Sequence, residues 1–178
     1  MMTMVQSQKT IETDRFDLRP LRVSDAGIIE MYAGDLRVAE NTRSLPHPMP
    51  PGAVAALIAR ANSDGRDEDF WVLDGTKAGG PEVMGLISMT RLDERQSEIE
   101  YWVAPALWNT GYASVAVKAL IDDNPQNCKT LFAAVFQDNP ASARVLTNNG
   151  FEYLGDAETF SIARNAKVAT WTYTRKLS

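Results

Sequence analysis

Two stretches in the second half of this chain each run from an extended segment through a polar turn into a helix, and they restrict the fold more than any other feature. In residues 101–113, Gly111 and Ala113 stand where a helix begins. Ala113, Ala116, Val117, Leu120 and Ile121 then repeat at helical spacing as one apolar stripe that ends near Asp122 or Asp123. In residues 137–151, Asn139 is placed as an N-cap with Pro140 at the first helical position, and Asn149 and Gly150 end that helix before a strand starting at Phe151. Between the two helices, 131–136 is a short, almost wholly apolar run, the pattern of a strand buried on both faces beside a crossover helix. Strands alternating with helices in this order require a layered α/β architecture.

The rest of the chain fits around that unit. Phe16 and Leu18 alternate with charged neighbours in a strand that stops at Pro20. Ser24 reads as the N-cap of a helix whose buried side is Ile28, Ile29, Met31 and Tyr32. Residues 41–52, rich in proline, are irregular, and Val54, Leu57, Ile58 and Ala61 mark an amphipathic helix after them. Extended segments at 69–73, 83–89 and 98–103 follow; the glycine turn at 74–81 joins the first two as an antiparallel meander. Two final strands, 151–160 and 168–175, are joined through 164–167. The expectation is a mixed, mostly antiparallel central sheet of about seven strands flanked by helices.

A chain of 178 residues suits one domain, here 10–178, preceded by a flexible segment at 1–9 that has no periodic pattern. No apolar run approaches the length of a membrane span and no secretory signal is legible, so the expectation is a cytoplasmic protein without a membrane partner. Cys128 is the only cysteine and His47 the only histidine, which leaves no disulfide framework and no His/Cys metal site. A formal charge of −5 argues against nucleic acid as a partner and is compatible with a cationic or amine acceptor.

Three patterns in order, Thr13 to Pro20, the Leu-Pro-x-Pro loop at 45–48, and the two strand–turn–helix segments, resemble the GNAT superfamily of acyl-CoA-dependent N-acyltransferases, most closely its RimJ/RimL-type branch. The resemblance runs from about Thr13 to Thr174. It implies acetyl-CoA as acyl donor and no metal, direct transfer to an amine, either a protein N-terminal α-amine or a small molecule, and a homodimer. It also implies a sheet whose fourth and fifth strands splay apart. The chain departs from the family pattern at Trp108, where Gln or Arg begins the phosphate loop, at Val115, often Glu, and at Glu100, often Gly. A non-catalytic acyl-CoA-binding or sensing module is the alternative those departures support.

The residues can be matched to the chemistry of a thioester carrying a diphosphate. The start of a helix offers unpaired N–H donors and a partial positive charge, so Asn109, Thr110, Gly111, Tyr112 and Ala113, with Trp108 before them, form the expected phosphate cradle. The strand edge at Tyr101, Trp102 and Val103 is the expected partner for the pantetheine amides, with the Val103 N–H as oxyanion donor. An attacking amine must lose a proton, and Glu98 and Glu100, two apart on one strand face, are the candidate bases, Glu98 first by its family match. The resemblance makes Ser142 the candidate general acid towards the leaving thiolate and Asn139 a cofactor contact; Tyr153 is a second acid candidate. Arg144 is a candidate for the adenosine phosphate. Plain structural roles compete in each case: a helix start, a solvated glutamate face, a helix cap.

Overall fold

The computed structural model describes residues 8–177. The segment expected to be flexible lies outside them except for Gln8 and Lys9, which are held against the sheet. Gln8 Nε2 donates to the Phe70 carbonyl at 2.5 Å, Trp71 Nε1 donates to the Lys9 carbonyl at 3.3 Å, and the Lys9 ammonium lies 2.8 Å from Asp123.

Eight strands form one sheet. In chain order the elements are β1 (Ile11–Glu12), β2 (Asp17–Pro20), α1 (Ala26–Ala33), α2 (Leu36–Ala39), α3 (Ala53–Ala61), β3 (Glu68–Asp74), β4 (Gly85–Arg91), β5 (Gln96–Val103), α4 (Tyr112–Asp123), β6 (Thr130–Phe136), α5 (Pro140–Asn148), β7 (Glu152–Ser161) and β8 (Ala166–Lys176). The strand order is β1-β2-β3-β4-β5-β6-β8-β7, so β8, last in the chain, lies between β6 and β7. Every pairing is antiparallel except β5 with β6. The strand beyond the expected seven is β1, which is two residues long and has no room to show alternation.

Alternation on the strands feeds two cores, one on each face of the sheet. On one face Phe16, Leu18, Trp71, Ile87 and Ile99 pack with Leu120 of α4 and Leu146 of α5. On the other, Leu21, Val72 and Leu86 pack with Ile29 of α1 and Val54 and Ile58 of α3. Trp71 and Val72, neighbours on β3, thus serve opposite cores, as a pleated strand requires.

The chain enters α1 differently from the expectation. Ser24 caps nothing; it lies inside a short 3-10 turn, Val23–Asp25, and Asp25 accepts the Arg22 N–H at 2.7 Å. Asp25 is held there by Arg19 of β2, which donates to both its carboxylate oxygens at 2.9 Å and to Asp74 at 2.7 Å through Nε. All three residues are buried.

One glycine is required by a close approach. A Cβ on Gly85 would lie 2.3 Å from the Trp102 carbonyl oxygen and 3.0 Å from Val103 Cα, so β4 can lie against this part of β5 only without a side chain there. Gly85→Ala is expected to lower stability by about 1–3 kcal/mol, the usual cost of overpacking. Urea unfolding measures it; an unchanged midpoint would mean that β5 shifts aside freely.

Candidate active site

The parallel pairing of β5 with β6 runs only from Gln96 with Thr130 to Glu98 with Phe132. Beyond that the two strands part. Val103 faces Gly85 in the β4–β5 register, and the Ala104 N–H donates to the Met84 carbonyl at 2.9 Å. By antiparallel alternation, Val103 and Tyr101 therefore direct their backbone polar groups away from β4, into the gap. The Val103 carbonyl is taken by the Trp108 indole N–H at 2.8 Å, which leaves its N–H for an incoming group.

Beside the gap the chain turns into α4 through two left-handed residues, Asn109 at φ 62° and Gly111 at φ 84°. Thr110 Oγ1 donates to the Leu107 carbonyl and fixes the turn. Among the described residues no protein group accepts the N–H groups of Asn109 through Ser114; the first bond of this turn is Val115 N–H to the Gly111 carbonyl at 3.1 Å. Such a run of open donors at the positive end of a helix dipole is built for an anion. Arg15 adds a full charge at its rim: its guanidinium donates to the Thr110 carbonyl at 2.9 Å and lies 4.2 Å above the Tyr112 ring. A cavity of about 340 Å³ runs from this cradle along Tyr101, Trp102 and Val103 to Asn139 and Ser142.

Glu98 and Glu100 lie on one face of β5, but they are not a bare carboxylate pair. Arg43, from the irregular segment before α3, reaches both. Its guanidinium is tightly bonded to Glu98, whereas its Nη2 and backbone N–H lie 3.4 and 3.3 Å from Glu100, long for hydrogen bonds. Burial pushes the Glu100 carboxyl up from its ordinary value; Arg43 pulls against this, and the charge of Glu98 adds to the rise. Glu98 lines none of the three cavities around the gap. Glu100 lines two of them, a constriction of about 20 Å³ between β5 and β6 and a cavity of about 750 Å³ on the α1–α3 side of the sheet.

Tyr101 lines all three cavities. Its hydroxyl and that of Ser142 form a closed pair: Ser142 Oγ donates to Tyr101 Oη at 2.9 Å, and Tyr101 Oη donates to the Ser142 carbonyl at 3.0 Å. Burial pushes the phenol well up, which keeps it protonated. Asn139 occupies the N-cap position of α5, but its side chain makes no capping bond and faces the cradle cavity instead. Arg144, two residues past Ser142, is turned to the other side of α5, exposed, and lines no cavity. Tyr153 is also out of the site, exposed on β7 with its hydroxyl on Asp156 at 2.5 Å. His47 is exposed, while Pro46 and Met49 beside it line the large cavity. Cys128 is buried. Sequence reasoning missed Arg43, Arg15 and the Tyr101 hydroxyl; the one local signal for Arg43 is its position just ahead of the Leu-Pro-x-Pro loop.

Residues 15–152 match the family described as Acetyltransferase (GNAT) domain. An uncharacterised N-acetyltransferase, p20, of Bacillus licheniformis is 23% identical over 171 residues, 93% of this chain and 94% of that protein. Among solved structures, RimL, a ribosomal L7/L12 α-N-protein acetyltransferase in complex with coenzyme A, superposes with a TM-score of 0.80 at 14% identity, over 94% of this chain and 98% of its own. The microcin C7 self-immunity acetyltransferase MccE, in complex with acetyl-CoA and AMP, gives 0.79 at 14% identity, over 92% and 93%.

Proposed function

The chain belongs to the GNAT acetyltransferase family, and on that footing we propose that it moves an acetyl group from acetyl-CoA directly to a primary amine, with no covalent enzyme intermediate. The observation that carries the donor is the run of open N–H groups from Asn109 to Ser114, with Gly111 in a left-handed conformation and Arg15 at the rim. These groups fit a diphosphate, and the free edge at Tyr101 and Val103 fits the amides of a pantetheine arm. The patterns at 13–20 and 45–48 favour the RimJ/RimL-type branch, whose acceptors are protein α-amines and small amines.

Acetyl-CoA supplies the acyl group as a thioester: the amine nitrogen bonds to the carbonyl carbon, and the carbon–sulfur bond breaks. Glu100, open to the large cavity, takes the proton the amine gives up, directly or through one water. Glu98 holds Arg43 and so limits how far the guanidinium can quench Glu100. The Val103 N–H faces the gap where the carbonyl oxygen gains charge. A thiol with a pKa of about 8.5 leaves as thiolate without a strong acid. Ser142 and Tyr101, both much weaker acids, serve the sulfur as hydrogen-bond donors once either hydroxyl turns out of their closed pair, and water returns the proton.

Thermal unfolding with acetyl-CoA tests the reading. At 100 times the dissociation constant the folded state gains about 2.7 kcal/mol, which raises the midpoint by about 5–11 °C for a domain of this size. Gly111→Val, which forces a branched residue to φ 84°, is expected to remove most of that rise. An equal rise in wild type and variant would place the donor elsewhere, and no rise in either would leave only the fold.

A further inference from the structure

Resting on the acetyltransferase reading, we infer that the acceptor is a small monoamine on an apolar body, an arylalkyl or branched alkyl amine, and not a polyamine. The cavity on the α1–α3 side has about 750 Å³, within the usual range for a small-ligand site. Its wall is mainly apolar: Leu45 and Met49 from the proline-rich loop, Leu57 from α3, Phe70 and Trp102 from the sheet, and Phe160 from the end of β7. Glu100 and Tyr101 belong to the same wall, so an amine beside Glu100 has its substituent among these side chains.

Charge decides against a polycation. The wall carries two carboxylates, Glu68 and Glu100, and two guanidiniums, Arg43 and Arg60. Arg43 is bound to Glu98 and Glu100, and Glu68 accepts the Thr90 hydroxyl at 2.9 Å. One ammonium finds Glu100 and a second has only Glu68, whose charge Arg60 offsets in the same wall; every further ammonium of a polyamine would enter apolar space without a partner and lose its hydration. An apolar substituent is stabilised there by leaving water for an apolar wall.

The test compares phenethylamine, isoamylamine, spermidine, ethanolamine and a serine-initiated heptapeptide as acceptors, by thiol release from acetyl-CoA at equal concentrations. Phenethylamine and isoamylamine are expected to exceed the other three in kcat/KM by about tenfold or more, the discrimination a few buried methylene groups supply. Leu57→Glu is expected to cut the phenethylamine rate about tenfold or more by the same measure while keeping the acetyl-CoA midpoint rise. Faster turnover of spermidine, ethanolamine or the peptide overturns the substrate class and leaves the acetyltransferase standing; so does an unchanged rate in Leu57→Glu. If none is acetylated, binding to the CoA complex decides: a midpoint raised by phenethylamine and not by spermidine supports the inference, and any other pattern overturns it. A protein whose midpoint ignores acetyl-CoA fails the underlying reading and this inference with it.

Discussion

Glu100→Gln is expected to lower kcat/KM by about 10²–10⁴-fold, the usual contribution of a positioned general base, while Glu98→Gln stays within about tenfold of wild type. The geometry separates the two glutamates. Glu98 is the tight partner of Arg43 and lines none of the three cavities; Glu100 is loosely held by the same guanidinium and opens on the large cavity. Their pH profiles should differ in a definite direction. A base works deprotonated, so kcat/KM, referred to the neutral amine, rises as pH climbs through the Glu100 pKa, which burial raises. In Glu98→Gln a neighbouring negative charge is lost and Arg43 is freed for Glu100. Both changes lower that pKa, so the acid limb moves to lower pH. Rates of thiol release across pH measure it; a large loss in Glu98→Gln with a near-normal Glu100→Gln would give Glu98 the base role.

Arg19→Met is expected to have the largest effect on stability, a loss of about 3–5 kcal/mol, as when one partner of a buried ion pair is removed. By the usual scaling for 150–250 residues, the midpoint falls by about 6–20 °C. Methionine fills much of the space but leaves Asp25 and Asp74 without the guanidinium that donates to both. In the wild type burial raises the Asp74 pKa, but the hydrogen bonds from Arg19 and Thr76 win and hold it below the ordinary value. Asp74 therefore adds stability above the ordinary carboxylate range, and that contribution is lost as pH falls through the folded pKa. Without Arg19, burial acts on Asp74 with less opposition and protonation relieves it. The penalty of Arg19→Met should be greatest near neutral pH and smaller near pH 4, read from urea midpoints at the two pH values. A loss equal at both would assign it to packing alone.

The sequence made visible what depends on local pattern. The stripe from Ala113 to Ile121, the alternation at Phe16 and Leu18 and the apolar run of β6 are periodicities, and α4, β2 and β6 lie on them. The helix start at Gly111 was legible from the turn residues ahead of the apolar stripe, and α4 begins directly after it. Contacts across the sheet were not. Arg43 meets Glu98 and Glu100 from 55 and 57 positions away, and nothing near the glutamates announces a cation. Ser24 misled because a serine ahead of an apolar helix is a common cap, whereas the entry to α1 is set by Asp25, held in place by Arg19. Arg144 shares a helix with Ser142 but not its face, as a spacing of two positions on a helix implies, and it is exposed.

The place of β8 between β6 and β7 carries a consequence for synthesis. Its partner β6, an apolar strand, leaves the ribosome well before β8 exists, and β5 covers it over only three residue pairs. From Phe136 to Lys176, translation at ~5–20 residues per second takes roughly 2–8 s. For that interval the nascent chain presents an open strand edge of the kind that recruits other chains. Crowded polysomes and slow codons within β7 and β8 would lengthen the exposure, so the yield of native protein should depend on translation speed over this stretch more than over the meander of β3, β4 and β5, where each strand meets its partner as it emerges.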